Sequence, residues 1–160
     1  MPWTPSSAMI RKPHDPMLTE LLASFVLLAI CVIIHSAGIA LILRQMHARP
    51  PVPTDKSWKV ALTIVQVAWK LTSLHLIQIV IWAVYFRLQG CLPDFETALY
   101  FSGVSYSTLG YGDVVLPQGW RALGPAEGLT GILMCGLSTG LFFAISHRVL
   151  ESRMQRHRKE

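Results

Sequence analysis

Three long apolar stretches, separated by polar segments that contain proline, dominate the hydrophobic pattern of this chain. They cover residues 18–43, 58–87 and 125–147. Each approaches or exceeds the roughly 20 apolar residues that an α-helix needs to cross a bilayer. The pattern therefore predicts an all-α membrane protein with three transmembrane helices.

The second apolar stretch is longer than a bilayer requires. From Trp58 to Arg87 it contains no Gly or Pro, so a continuous helix would be about 45 Å long. Polar residues recur along its first half at spacings of three or four, on one helix face: Lys59, Thr63, Gln66, Lys70 and Ser73. We interpret 58–70 as an amphipathic entry at the membrane interface. Lys70 either extends to the headgroups or serves as an intramembrane functional charge.

A shorter element, 94–106, follows the second span. Asp94 can cap its first turn, and Glu96 adds negative charge where the helix dipole is positive. Because about a dozen residues cannot cross a membrane and return, we expect a re-entrant helix that is surrounded by protein. An irregular segment, 107–117, comes next.

The basic residues predict the orientation, because Lys and Arg favour the cytoplasmic side of a membrane. They flank the loop at 44–57 or follow the third span: Arg44, Arg49, Lys56 and Lys59, then Arg148, Arg153, Arg156, Arg158 and Lys159. Residues 88–124 and the amino-terminal segment 1–17 are then expected outside, although Arg11 and Lys12 oppose the second assignment. This bias explains the formal net charge of +5 without nucleic acid as a partner. The tail, 148–160, is either a solvated anchor or a contact for anionic lipid headgroups.

Composition and candidate ligands argue against a soluble protein or an enzyme. Hydrophobic residues make up 52% of the chain and charged residues 14%, which is unusual for a soluble domain. The six histidines form no recognisable ligand motif: His14, His35, His47, His75, His147 and His157. We therefore expect no enzyme activity and no cofactor. Cys31 and Cys135 are expected in the core, whereas Cys91 is either a free thiol or half of a disulfide between subunits.

Residues 107–113, Ser-Thr-Leu-Gly-Tyr-Gly-Asp, carry the chemistry expected of an ion path. Non-helical backbone at membrane depth is tolerated only where it is buried in protein or lines a wet pore. Gly110 and Gly112 can adopt left-handed backbone angles, which allows successive carbonyls to face one axis. Rows of such carbonyls replace the hydration shell of a cation. We therefore predict that the carbonyls of 108–111 coordinate an ion.

The stretch Thr108-Leu109-Gly110-Tyr111-Gly112-Asp113 resembles the potassium-channel signature Thr-Val-Gly-Tyr-Gly-Asp. Its setting is similar to the ion channel family with two transmembrane helices and a pore loop, over about residues 70–147, with 18–43 as an additional helix. The resemblance implies a homotetramer in which four filters form one path, with K+ as the permeant ligand. It assigns K+ coordination to Thr108, Leu109, Gly110 and Tyr111, with Gly112 completing the filter.

The same resemblance implies four residues that support the filter: Ser107, Asp113, Tyr100 and Phe101. Tyr100 and Phe101 correspond to an aromatic cuff, and Tyr100 is expected to hydrogen-bond Asp113; otherwise Asp113 is a solvated carboxylate at the mouth. Leu109 stands where Val is commoner, and the side chains of Leu109 and Tyr111 are expected to pack behind the filter. Val104 stands where some bacterial members have Glu, so an inactivation mechanism that needs this Glu is not expected.

The third span, 125–147, is expected to line the inner cavity. Pro125 and Glu127 suit its helix start. Its small residues are glycines: Gly128, Gly131, Gly136 and Gly140. The pair Gly136 and Gly140 would allow close helix approach. By resemblance and position Gly136 is also the candidate hinge, with simple packing as the alternative.

Together these features predict a multi-pass protein of the cell membrane that conducts K+ passively. No span carries regularly spaced Arg residues, so a voltage sensor is not expected. The alternative hypothesis is a non-conducting membrane adaptor that joins other channel subunits through the same fold. The intact filter sequence argues against that alternative.

Overall fold

The computed structural model describes residues 16–48 and 57–157. This part of the chain forms four α-helices and no strand: α1 (Pro16–Ala48), α2 (Ser57–Leu88), α3 (Phe95–Tyr106) and α4 (Leu123–His157). The helices α1, α2 and α4 are long and apolar enough to cross a membrane, over Leu18–Met46, Trp58–Leu88 and Leu123–Arg148. The predicted all-α architecture, with three spans and one short helix, is therefore confirmed, and the chain is a membrane protein.

The long helices extend beyond the predicted spans. Helix α1 continues through Arg44 to Ala48, and α4 continues through the basic segment to His157. These extensions are polar but contain neither Gly nor Pro, the residues that end helices most strongly. A change from apolar to polar residues alone therefore does not end these helices. The predicted segment 1–17, the loop 44–57 and the tail 148–160 lie partly outside the described residues, and the proposed lipid contact of the tail stays a prediction.

Helix α3 begins as the sequence predicts. Asp94 is its N-cap, with Oδ1 accepting a hydrogen bond from the Thr97 amide at 2.7 Å and Oδ2 accepting from the Thr97 hydroxyl at 3.0 Å. Glu96 lies in the first turn, where its charge complements the helix dipole. These contacts lower the pKa of Asp94, the Thr97 amide being the largest cause.

Two apolar clusters hold the four helices together. The first cluster contains α1, α2, α3 and α4 residues and the loop between α3 and α4, among them Leu27, Trp82, Phe86, Phe101, Leu116, Trp120 and Met134. The second cluster contains Ile42, Val67, Leu71 and Ile145. The two clusters lie at different heights along α1, α2 and α4, which leaves an intermediate level between them.

Glycines allow α4 to approach the carboxyl end of α3. A Cβ on Gly131 would overlap the Tyr106 carbonyl, and one on Gly128 would lie 3.2 Å from the Ser105 carbonyl oxygen. By contrast, Gly136 and Gly140 are exposed and have nothing within 4 Å of such a Cβ. Within one subunit, the close approach predicted for Gly136 and Gly140 is therefore made by Gly131.

Two hydrogen bonds tie α1 to the other long helices near its ends. The carboxylate of Glu20 is buried, and its Oε2 accepts a hydrogen bond from the Ala122 amide at 2.9 Å. Ala122 directly precedes α4, so Glu20 satisfies an amide at this helix start. At the opposite end of α1, Lys70 Nζ donates to Gln45 Oε1 at 2.5 Å. The ammonium of Lys70 thus has a partner on α1.

None of the three cysteines forms a disulfide within the subunit, so the choice predicted for Cys91 between a free thiol and a disulfide between subunits stays a prediction. Cys31 is buried as predicted, whereas Cys135 is exposed, so the expectation that it is a core residue is wrong for the single subunit. It lies beside Gly136 on a face of α4 that the other helices leave uncovered. Cys91 is fully buried, and burial raises the pKa of its thiol to about 12.

Candidate functional site: the loop between α3 and α4

The loop after α3 is fastened to the carboxyl end of that helix. The amides of Leu109 and Gly110 both donate to the Val104 carbonyl, at 3.0 and 3.3 Å, and the Thr108 amide donates to the Ser105 carbonyl at 3.0 Å. Carbonyls in the last turn of a helix have no partner within it. Here the loop supplies the partners, so these bonds set the direction in which the loop leaves the helix.

Ser107 holds the same junction. Its amide donates to the Gly103 carbonyl at 3.1 Å and its hydroxyl donates to the same carbonyl at 2.6 Å. These contacts fix Ser107 to the last turn of α3, and its role as support of the segment that follows stays a prediction.

The backbone of the loop alternates in handedness. Thr108, Gly110 and Gly112 have φ of 62°, 57° and 77°, whereas the intervening Leu109 and Tyr111 do not have positive φ. The left-handed angles predicted for the two glycines are confirmed. Alternation of this kind turns successive peptide planes so that their carbonyls can share one side of the chain. Thr108 was not predicted to be left-handed, and its branched Cβ makes that conformation costly, by about 1–2 kcal/mol.

The carbonyl oxygens of 108–112 have no hydrogen-bond partner among the described residues. The amides of Thr108, Leu109 and Gly110, by contrast, are all occupied by the α3 carboxyl end. An unpaired backbone carbonyl in a membrane requires another partner, such as water or a cation. This asymmetry makes the loop a row of available oxygen ligands.

An aromatic residue of α3 anchors the end of the loop. The Tyr100 hydroxyl donates to Asp113 Oδ2 at 2.7 Å, as predicted. The hydrogen bond from Tyr100 is the largest cause that holds the pKa of Asp113 below its ordinary value. Phe101 packs edge-on against Phe86 of α2, with ring centroids 5.3 Å apart, in the first apolar cluster. The two adjacent aromatics thus serve different contacts, one with the loop and one with the core.

The side chains expected to pack behind the loop have no such packing in one subunit. Leu109 is 59% exposed and Tyr111 is 67% exposed. On another side of the loop lies a groove of about 730 Å³ between α3 and α4, lined among others by Val104, Thr108 and Leu129. The expected packing of Leu109 and Tyr111 therefore requires atoms from outside this subunit.

One face of α4 also lacks a partner. Cys135 and Thr139 are exposed there, together with residues that recur every three or four positions: Leu129, Ile132, Leu133, Gly136, Leu137 and Gly140. This spacing defines a single helix face. It includes the candidate hinge Gly136 and is continuous with the groove at Leu129 and Ile132.

Glu127 does not serve the helix start in the predicted way. Its side chain is fully buried, and its Oε1 accepts a hydrogen bond from the Ser102 hydroxyl of α3. The other oxygen, Oε2, has no hydrogen-bond partner among the described residues. The close packing of α3 and α4 covers the second turn of α4, where Glu127 lies. Glu127 therefore links α4 to the middle of α3 instead of facing the helix start.

Sequence reasoning missed a second group of polar residues. His35, His75, Gln78, Tyr106 and Ser138 contact one another where the four helices meet. The available signal was weak: His75 and Gln78 are three residues apart on one helix face, in a stretch that is otherwise apolar. The residues are distant in sequence, so only the packing of the helices brings them together.

Comparison with known families covers the part of the chain that contains this loop. The sequence model of the family described as "Ion channel" matches residues 72–146. The match includes most of α2, all of α3, the loop and most of α4. No curated protein and no solved structure matches the chain. The helix α1 lies outside the matched region.

Proposed function

We propose that the chain is one subunit of a tetrameric, potassium-selective channel, with residues 108–112 as its filter. One observation carries the proposal: the left-handed conformation at Thr108, Gly110 and Gly112, in a loop whose carbonyls are unpaired. Oxygen ligands in rows replace the hydration shell of an ion at little cost. The match of 72–146 to an ion channel family supports conduction, and the potassium signature at 108–113 supports the choice of ion.

Two surfaces that the single subunit leaves uncovered support the proposed tetramer. Leu109 and Tyr111 project from the loop without packing partners. The groove beside the loop is open, with no side chain of the subunit filling it. In a cyclic arrangement, the projecting residues of each subunit fill the groove of the next. Four loops then surround one axis, and the exposed face of α4 at Leu133 and Leu137 lies toward that axis or a neighbouring subunit.

The helix ends also favour a cation on this axis. The carboxyl end of α3 carries the negative end of the helix dipole, and α3 ends at Tyr106, immediately before the filter. Asp113 adds a carboxylate at the other end of the filter. No resident cofactor is needed, since K+ itself is the ligand that passes.

Flux through purified protein tests the proposal. The full-length chain would be reconstituted in liposomes with a K+ gradient, and K+ and Na+ fluxes would be compared with those of the Gly112→Ala variant. We expect K+ flux well above Na+ flux, lost in the variant. Equal fluxes of the two ions would remove selectivity, and an absence of flux at every pH and lipid composition would favour the non-conducting adaptor instead. Native mass spectrometry that found no species of four copies would contradict the tetramer.

A further inference from the structure

Five polar side chains from all four helices form a closed ring of hydrogen bonds, which we call the polar ring: His35, His75, Gln78, Tyr106 and Ser138. Gln78 Nε2 lies 2.8 Å from His35 Nδ1, and His35 Nε2 lies 3.0 Å from Ser138 Oγ. Ser138 Oγ is also 3.0 Å from His75 Nε2, and His75 Nδ1 is 3.0 Å from the Tyr106 hydroxyl. The Tyr106 hydroxyl closes the ring at 2.6 Å from Gln78 Oε1.

The polar ring lies between the two apolar clusters. On α1, His35 stands between Cys31 of the first cluster and Ile42 of the second; on α4, Ser138 stands between Met134 and Ile145. Four of its members are buried, and His75 is partly buried. Polar and ionisable groups at membrane depth are costly and usually serve a function.

Each of the five contacts in the polar ring has one donor and one acceptor when both imidazoles are neutral. A neutral imidazole has one N–H donor and one acceptor nitrogen, and each hydroxyl has one hydrogen to donate and oxygen lone pairs that accept. If Tyr106 donates to Gln78, each member donates to the next: Gln78 to His35, His35 to Ser138, Ser138 to His75 and His75 to Tyr106. The direction follows from Gln78, whose Nε2 can only donate to His35 and whose Oε1 can only accept from Tyr106; the histidine tautomers are assigned from the network. Five hydrogens thus serve five contacts.

A sixth hydrogen does not fit this circuit. Protonation turns the acceptor nitrogen of His35, which faces Gln78 Nε2, or that of His75, which faces Ser138 Oγ, into a donor. The Gln78 amide or the Ser138 hydroxyl hydrogen must then turn away from that nitrogen, so the circuit is interrupted. It also places a positive charge between two apolar clusters, where an unpaired charge is strongly disfavoured. The ionisable groups around Tyr106 are Cys31 of α1 and Cys135 and Glu127 of α4.

None of those groups is placed to neutralise an imidazolium by a hydrogen bond. Glu127 bonds to Ser102. In the described residues no Asp, Glu, Lys or Arg side chain is hydrogen-bonded to a ring member. On α2 the titratable group that faces His35 is His75, 5.2 Å away between ring centroids, and a second positive charge there would repel the first.

We propose that the polar ring is a proton-sensitive latch that holds α1 and α4 against the carboxyl end of α3, an inference that rests on the proposed channel function. Tyr106 is the last residue of α3, two positions before Thr108 of the filter. Ser138 follows the candidate hinge Gly136 by two positions. With both imidazoles neutral, the ring fixes α4 to the helix that carries the filter. Protonation of His35 or His75 breaks this tie and frees α4 to move relative to α1 and α3.

Thermal unfolding of the full-length protein in detergent tests the latch without any need for conduction. The free imidazole pKa is about 6.5, so pH 8 and pH 5 bracket the titration. Stability that requires neutral imidazoles is present at pH 8 and lost as the pH falls. We expect the wild-type Tm to fall by roughly 5 °C or more between these values. In the variant with His35→Gln and His75→Gln, Tm should start lower at pH 8 and change little.

Potassium flux tests whether the latch acts on the pore. We expect wild-type flux to change at least threefold between pH 8 and pH 5, and the double variant to change by less than 1.5-fold. Ser138→Ala removes the link between the two imidazoles, so its flux at pH 8 should equal wild-type flux at pH 5. The control is His147→Gln, since His147 is exposed on α4 and pairs with Glu151 at 3.4 Å; it should keep the wild-type responses. If the double variant does not fold, the same pH comparisons are made with the single variants His35→Gln and His75→Gln, each of which should respond less than the wild type.

Either of two results would overturn the latch: a wild-type Tm that is the same at both pH values, or a double variant that keeps the full wild-type response. A pH-dependent Tm with pH-independent flux would show a tie that does not act on the pore, which also contradicts the proposal. Absence of flux under every condition would overturn the channel function instead, and the Tm comparison would still decide whether the ring takes up a proton.

Discussion

The Tyr100 hydroxyl donates a hydrogen bond to Asp113 Oδ2 over 2.7 Å, joining α3 to the residue that follows the proposed filter. The two residues are 13 positions apart, and the whole filter lies between α3 and this contact. The bond therefore closes a loop around the proposed filter and limits how far its end near Asp113 can move.

Removal of this hydroxyl should raise the pKa of Asp113. The bond from Tyr100 lowers that pKa, so in the wild type the carboxylate remains ionised as the pH falls past the ordinary Asp value of about 3.9. In Tyr100→Phe we expect Asp113 to titrate closer to that value, measured by NMR of ¹³C-labelled carboxyl groups. Asp94 is the internal control, because its pKa is lowered mainly by the Thr97 amide and should not move. An unchanged Asp113 would show that the contact is absent in solution.

Alanine at either filter glycine should stop conduction while the subunit still folds. Gly110 and Gly112 have left-handed φ, and a Cβ on either meets nothing within 4 Å in the subunit. The expected cost is thus of backbone origin, about 1–2 kcal/mol, and it acts at the filter itself. We expect K+ flux to fall more than tenfold. The matched control is Gly103→Ala, which is also free of contacts but lies in the α3 helix and should retain flux.

Gly131→Ala should destabilise the contact between α3 and α4. The added Cβ would overlap the Tyr106 carbonyl, which is backbone and cannot rotate away. We expect a cost of about 1–3 kcal/mol, as for other overpacked sites, measured as a lower Tm. Gly136→Ala is the control, since its Cβ meets nothing within 4 Å; its Tm should be unchanged or slightly higher.

The same Gly136→Ala variant tests the proposed hinge. If α4 bends at Gly136, a Cβ there restricts the backbone and should change the open probability in single-channel recordings. An open probability equal to that of the wild type would leave Gly136 with a packing role only.

Loss of the Glu20 carboxylate should weaken the attachment of α1. Glu20 Oε2 accepts from the Ala122 amide at 2.9 Å, and removal of a side-chain acceptor at a helix start costs about 1 kcal/mol. Glu20→Ala should therefore lower Tm by about 2–4 °C, measured in detergent at pH 8. Glu20→Gln keeps an oxygen acceptor and should show a smaller effect. Equal losses in the two variants would point to packing rather than to this hydrogen bond.

Cys91 should resist thiol reagents in the folded protein. Its side chain is fully buried and its pKa is raised to about 12, so the reactive thiolate is scarce at pH 8. We expect mass spectrometry to find Cys91 labelled by a maleimide only after denaturation, and non-reducing electrophoresis to show no dimer linked through it. Leu88→Cys provides an accessible control, because Leu88 is 78% exposed. A linked dimer would restore the disulfide alternative.

Much of the fold could be predicted because it depends on local patterns. The length of the apolar stretches predicted the three spans. Asp94 predicted the start of α3, because an N-cap side chain bonds to amides only two or three residues away. The helix ends were less predictable. Without Gly or Pro after Gly140, polarity is a weak stop signal, and α4 runs on to His157.

The conformation of the loop was predictable for the same reason, since its glycines and its neighbouring helix act within a few residues. The sequence alone determined the four helices, the position of the loop and the left-handed angles at Gly110 and Gly112. Only the tertiary structure decided that Thr108 shares that conformation, that Glu127 turns inward to Ser102, and that His35 meets Ser138 across 103 positions. These contacts depend on the rotation and spacing of whole helices, which the packing of the two apolar clusters sets and no local pattern encodes.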